Sequence, residues 1–217
     1  MTPTDPARDT RLQAQLALGQ MLLDAGDGAA AWEAFAAAGR AQDGRALNML
    51  GRMSENGWNG LPPAPEQAAS FYRRAAEAGS GWALFNLGDL YLRGAGVPQD
   101  DAAAYACYTQ AAARGLTKAL NMLGMCHEEG RGTAADPAQA RACFEAGAQT
   151  GDCWAQFNLA RLLLAEGRTE AAIDGFRASL DSGFRGYWAA LARTLHDHDD
   201  PRLHDIAQRA AHLAATA

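Results

Sequence analysis

The sequence predicts an all-α fold, a solenoid of five to six stacked helix pairs closed by a C-terminal capping helix. Three observations carry that expectation. The hexapeptide Ala46-Leu47-Asn48-Met49-Leu50-Gly51 recurs unchanged as Ala119-Leu120-Asn121-Met122-Leu123-Gly124, and self-similarity of this kind marks a repeat architecture. A second motif, an alanine followed four residues later by Tyr or Phe, alternates with the first. Alanine dominates the composition while Val, Ile and Thr are scarce, which favours helices over strands.

The first motif has relatives along the chain. The small residue that closes each copy falls at Gly19, Gly51, Gly88, Gly124, Ala160 and Ala192, with intervals of 32, 37, 36, 36 and 32 residues. The second motif runs through Ala68–Tyr72, Ala104–Tyr108 and Ala140–Phe144, with shorter versions at Ala31–Phe35 and Ala172–Phe176. Both series show i, i+3, i+4 spacing, so each is an amphipathic helix. One unit is therefore a helix A, a turn, a helix B and a second turn. The small closing residue lets helix B approach, and the Tyr or Phe of helix B fills the space. Asp100, Asp136-Pro137 and Asp200-Pro201 are start signals for helix B, and Gly79, Gly115 and Gly151 follow its end. The first and fifth units have 12 residues between the two motifs where the middle ones have 16 or 17, and the shortfall belongs to the A–B turn. The expected boundaries are a polar tail at 1–10, units near 11–44, 45–80, 81–116, 117–152, 153–184 and 185–201, and a capping helix at 202–217. Trp58, in the glycine-rich turn Gly57-Trp58-Asn59-Gly60, is either an exposed anchor or a plug over the core.

The copy Ala83-Leu84-Phe85-Asn86-Leu87-Gly88-Asp89-Leu90-Tyr91, continuing through Gly94-Ala95-Gly96-Val97 to Asp100 and Tyr108, resembles the Sel1-like repeat, a branch of the tetratricopeptide superfamily. The resemblance covers residues 11–195 and is specific for fold. It implies a right-handed superhelix whose concave wall is lined by the A helices. Counted from the closing residue, positions −6, −3, −2, +1, +4 and +5 then face inward, while −5, −1 and +3 form the opposite apolar stripe. The inward set that follows is Arg45, Asn48 and Arg52; Trp82, Phe85, Asn86, Asp89 and Arg93; Asn121 and Met125; and Trp154, Phe157, Asn158 and Arg161, with Glu55, Lys118, Glu128, Arg193 and His196 beside them. Trp and Arg are common anchors of protein interfaces, and an Asn amide can both donate to and accept from a peptide backbone. The competing reading is that the aromatics pack between helices and the asparagines serve the fold.

The expected function is an adaptor or scaffold that holds a peptide or protein domain in that groove. The alternative is an immunity protein that occludes a bacterial toxin, a role some relatives of this kind have. Catalysis is a remote third, by a bound metal or by β-lactam hydrolysis. No cofactor is expected. The net charge is −6, the pI is 5.3, and Lys118 is the only lysine, so the electrostatic footprint of nucleic-acid binding is missing. The polar residues 1–11 do not read as a secretory leader, and no apolar run reaches the ~18 residues that span a membrane. A soluble, cytoplasmic protein is expected, either a monomer or an end-to-end dimer. Cys107, Cys126, Cys143 and Cys153 form no CxxC pair and read as small core residues. His196-Asp197-His198-Asp199-Asp200 with His204 is the one metal-like cluster, and it reads as a solvated turn. His127-Glu128-Glu129 lacks the second histidine of HExxH, Gly94-Ala95-Gly96 follows no strand, and Ser-x-x-Lys does not occur.

Overall fold

The computed structural model describes residues 6–58, 60 and 62–217, and among them the chain forms twelve α-helices. They fall into six pairs: α1 (Pro6–Asp24) with α2 (Gly28–Arg40), α3 (Gly44–Asn56) with α4 (Pro65–Glu77), α5 (Gly81–Arg93) with α6 (Asp101–Ala113), α7 (Lys118–Glu129) with α8 (Pro137–Gln149), α9 (Cys153–Ala165) with α10 (Thr169–Ser182), and α11 (Arg185–Leu195) with α12 (Pro201–Thr216). This is an all-α solenoid. It divides into two compact units, one ending at Leu116 and one beginning at Thr117. In the N-terminal unit α2 packs on α3, α4 on α5, and α3 on α5. In the C-terminal unit α8 packs on α9, α7 on α9, α9 on α11, and α10 on α12.

Local chemistry fixes the helix ends. Aspartate caps six helices: Asp27, Asp43, Asp100, Asp136, Asp152 and Asp200 each accept from a backbone amide of the first turn, and Ser80 does the same for α5. Each cap satisfies an amide that has no partner within its helix. α3, α5 and α7 end on Gly57, Gly94 and Gly130, all left-handed, with their amides bonded back to Met53, Leu90 and Cys126. Gly96 has a further reason to be glycine. At φ +68 a Cβ there would lie 2.2 Å from the Pro65 backbone, where the α5–α6 turn crosses the start of α4.

The start of the chain differs from the expected tail. Residues 1–5 lie outside the described residues, but α1 already begins at Pro6, a residue preorganised for the first helical position. The last helix, the expected cap, is α12, and it packs on both α11 and α10.

The core repeats one contact. Helix B places Phe35, Tyr72, Tyr108 and Phe144 against Gly19, Gly51, Gly88 and Gly124, where an added Cβ would meet the ring at 2.4–2.7 Å. In the fifth pair the closing residue is Ala160, and α10 answers with Gly175, whose own Cβ would reach Ala160 at 3.0 Å. Behind the glycines runs the apolar stripe. Leu50, Leu87, Leu123 and Leu191 are buried at its −1 position, while the equivalent Leu18 of α1 is 50% exposed. Trp58 is half-buried in its turn.

Candidate partner-binding faces

Each unit presents a face built from its A helices, the helices that carry the predicted inward residues. In the N-terminal unit the Asn86 side-chain amide donates to Asn48 Oδ1 at 2.9 Å, joining α5 to α3, and Asn48 is buried. Glu55 accepts from the Tyr72 hydroxyl at 2.8 Å and from Arg93 Nη2 at 2.5 Å. Asp89 accepts from the Tyr108 hydroxyl at 2.6 Å, and Arg93 Nε donates to the Asp89 carbonyl. Arg45 pairs with Asp43 at 3.0 Å and reaches the Gln13 amide. Arg52 is exposed, with Nη1 3.7 Å from Met49 Sδ. Phe85 is buried, tilted against Tyr108 with ring centroids 5.7 Å apart. Trp82 leans edge-on against Phe85 at 6.1 Å and remains 51% exposed.

The C-terminal unit repeats part of this pattern. Asn158 donates to Asn121 Oδ1 at 2.8 Å, joining α9 to α7, and both residues are buried. Asn121 donates in turn toward Met125 Sδ at 3.9 Å. Arg161 Nη2 bonds both carboxylate oxygens of Glu128, at 2.7 and 2.5 Å. Trp154 occupies the repeat position of Trp82, yet it is half-buried. Its ring stands perpendicular to Tyr187 of α11 at 5.0 Å and meets Phe157 at 6.1 Å. Phe157 packs on Phe176 at 5.7 Å.

Electrostatics follow this pairing. Burial, reinforced by the bond to Glu55, pushes the Tyr72 phenol far above its usual range. Burial works to raise the Asp43 carboxyl, but the Arg45 guanidinium and the amides of Ala46 and Arg45 hold it below the usual carboxylate range. The four asparagines and the charges on Glu55, Arg93, Glu128 and Arg161 therefore tie neighbouring A helices together. Trp82, Arg52 and the solvent edges of Arg45 and Arg93 are the members of the predicted set that offer open surface in the N-terminal unit. Two features escaped sequence reasoning: the tyrosine hydroxyls bonded to Glu55 and Asp89, and the Glu–Arg pairs between A helices. The signal for the first is the choice of Tyr over Phe in α4 and α6, whose hydroxyl needs a partner where the ring is buried.

The remaining predicted features are also placed. His196 Nδ1 meets Asp197 at 2.7 Å, His204 Nδ1 meets the His196 carbonyl at 3.1 Å, and His198 Nδ1 accepts from the Asp200 amide. No three His, Cys, Asp or Glu side chains converge as a metal site among the described residues. The four cysteines are free thiols, and Cys107, Cys126 and Cys153 are buried. Burial pushes the Cys107 thiol up to about 11. No helix of the described residues is long and apolar enough to cross a membrane.

The motif that generates these faces can be compared with known families. The model of the Sel1 repeat matches residues 44–80, 83–116 and 117–152. The chain belongs to the Sel1 repeat family. The three matched Sel1 repeats are the α3–α4, α5–α6 and α7–α8 pairs, the ones with long A–B turns. The first and fifth pairs, whose turns are cut to three residues, lie outside the match. No curated protein matches the chain. Among solved structures, a Sel1 repeat protein from Oxalobacter formigenes is 24% identical, with 98% of this chain and 91% of that chain covered and a TM-score of 0.78. A protective antigen of uropathogenic Escherichia coli is 25% identical, covering 94% of this chain and 46% of that one, with a TM-score of 0.67. An immunity protein from Pseudomonas aeruginosa is 18% identical, covering 100% and 84%, with a TM-score of 0.62. These likenesses concern the fold.

Proposed function

We propose that this Sel1 repeat chain is a protein-binding module without catalytic activity of its own, and that the α3–α5 face of the N-terminal unit is its main docking surface. The observation that carries this reading is Trp82. A tryptophan half exposed on a helix whose other large apolar residues are covered costs solvation in the free protein and gains it back only against a partner. Arg52 and Arg45 flank it as polar contacts. Asn48, Asn86 and the Glu55–Arg93 pair hold α3 and α5 in register beneath it, Asp89 fixes Tyr108 of α6, and Phe85 sets the tryptophan's angle. On α7 and α9, Asn121, Met125, Trp154, Phe157, Asn158 and Arg161 make the equivalent supporting set. The occupant is a peptide or domain with an apolar residue to cover the indole and an acceptor for the guanidinium groups.

The fold shared with immunity proteins from Pseudomonas aeruginosa supports a second reading, in which the occupant is a toxin and the module blocks its active site. One experiment addresses both. Affinity capture with wild type and with Trp82→Ala, under conditions where both give the same circular dichroism, is expected to recover a protein that the variant loses. An adaptor's occupant keeps its activity in the complex, and a toxin's activity disappears. Equal capture by both chains would remove Trp82 and this face from consideration.

A further inference from the structure

In five of the six pairs, helix B carries a buried aromatic eight residues after its N-cap. From Asp27, Ala64, Asp100, Asp136 and Arg168 the count reaches Phe35, Tyr72, Tyr108, Phe144 and Phe176, none more than 1% exposed. The same count from Asp200 reaches Gln208, which is exposed. α12 is also turned on its axis. Its buried residues are Leu203, Ile206, Ala207 and Ala210, so its buried face is offset by one residue from that of the other B helices, and Gln208 only lines the gap between α12 and α11. What remains is an open cleft of about 410 Å³ between α11 and α12, with apolar walls of Ala192, Ala207 and Ala211. Ala192 is the closing residue of α11, equivalent to the glycines on which the ring rests in the first four pairs.

The polar rim has changed sign as well. In the second pair the tyrosine hydroxyl is received by Glu55, four residues past the closing glycine. In the third it is received by Asp89, one residue past it. In α11 those two positions hold His196 and Arg193, and both border the cleft. Asp197 borders it too, but its carboxylate already meets His196 Nδ1 at 2.7 Å. His204, across the cleft, is turned to the His196 carbonyl. Arg193 is exposed and forms no ion pair among the described residues. The rim group left open to an incoming ligand is therefore a cation, where Tyr72 and Tyr108 meet an anion.

We propose that this cleft docks an aromatic residue of a partner polypeptide, its ring lying against the alanine methyls of the walls and an adjacent carboxylate pairing with Arg193. The volume lies within the range of small-ligand sites. A flat ring buries much area at small cost in side-chain freedom. The pairing with a half-exposed guanidinium contributes selectivity of about fivefold rather than the bulk of the affinity. The site lies in the C-terminal unit and uses no residue of the α3–α5 face, so it stands or falls apart from Trp82.

The test follows the alanine methyl signals of Ala192, Ala207 and Ala211 by NMR during titration with N-acetyl-phenylalanine, its carboxamide and N-acetyl-alanine. The acid is expected to shift all three signals saturably. The carboxamide should bind about fivefold more weakly, and N-acetyl-alanine should leave the signals in place. Gln208→Phe, a change at an exposed position that lines the cleft, fills the cleft with a ring of its own and should abolish the response. Arg193→Gln should bring the acid down to the level of the carboxamide. Absence of shifts with the acid, equal shifts with N-acetyl-alanine, or an undiminished response in Gln208→Phe would overturn the aromatic site. Equal affinity of acid and carboxamide would overturn the role of Arg193.

Discussion

Gly51 shows how much rests on one missing methyl group. A Cβ there would stand 2.4 Å from the Tyr72 ring, and Tyr72 is fully buried with its hydroxyl held by Glu55. Gly51→Ala gains about 1 kcal/mol of helix propensity and incurs overpacking of up to about 3 kcal/mol. The expected result in urea denaturation is a net loss of about 2 kcal/mol, set by the ring's inability to move. Gly124, equally close to Phe144, should behave alike. The need for small residues here was legible in the sequence, because the glycines recur in step with the aromatics. The fate of each tryptophan was not. Trp82 and Trp154 occupy the same repeat position, yet Tyr187 of the following pair covers Trp154 and leaves it half-buried. Exposure at one position is decided by the neighbour that arrives, which the position itself does not encode.

Between elements, the asparagine pairs do what the helical period alone does not reveal. Periodicity places Asn121 and Asn158 on one face of their helices, and only the stacking of α9 on α7 makes them partners. Both are buried, so Asn158→Ala strands the Asn121 oxygen and should cost about 1–3 kcal/mol. Removing both residues strands neither. A double-mutant cycle over Asn121→Ala and Asn158→Ala should therefore show the double variant losing less than the sum of the singles, with a coupling of about 1 kcal/mol. Additive losses would mean that the two amides act separately. The helix starts at Asp100, Asp136 and Asp200 could be read from Asp and Pro in sequence, and all three cap as anticipated. The turning of α12 could not be read, since it depends on Leu203 and Ile206 outcompeting the standard face for the core.

At the scale of the whole molecule, buried acids of high pKa set the alkaline limit of stability. Burial raises the Cys107 thiol from an ordinary 9.0 to about 11 and carries the Tyr72 and Tyr187 phenols above their usual range. Between pH 9 and 11 the unfolded chain has released the Cys107 proton while the folded chain still holds it, so stability falls as pH rises. Below pH 9 both states are protonated and the contribution is flat. Thermal denaturation should show a midpoint steady from pH 7 to 9 that drops beyond it, with the tyrosines extending the drop above pH 10. Cys107→Ala should delay the onset, and a midpoint unchanged to pH 11 would contradict the burial argument. The pair architecture was legible through the fifth pair because the two motifs alternate there, and α12 lacks the second motif. The A-helix faces were legible as lists of residues, whereas the bonds that commit most of those residues to one another required coordinates.

The constant count from N-cap to aromatic makes the chain readable as interchangeable cassettes. The N-caps of α4, α6 and α8 stand at 64, 100 and 136, a spacing of 36 residues. An in-frame duplication of that length, begun anywhere between them, inserts one complete pair with its own cap, ring and closing glycine already in phase. Such a gene can lengthen or shorten by recombination without inventing a new contact, and partner range can vary by copy number as well as by point substitution.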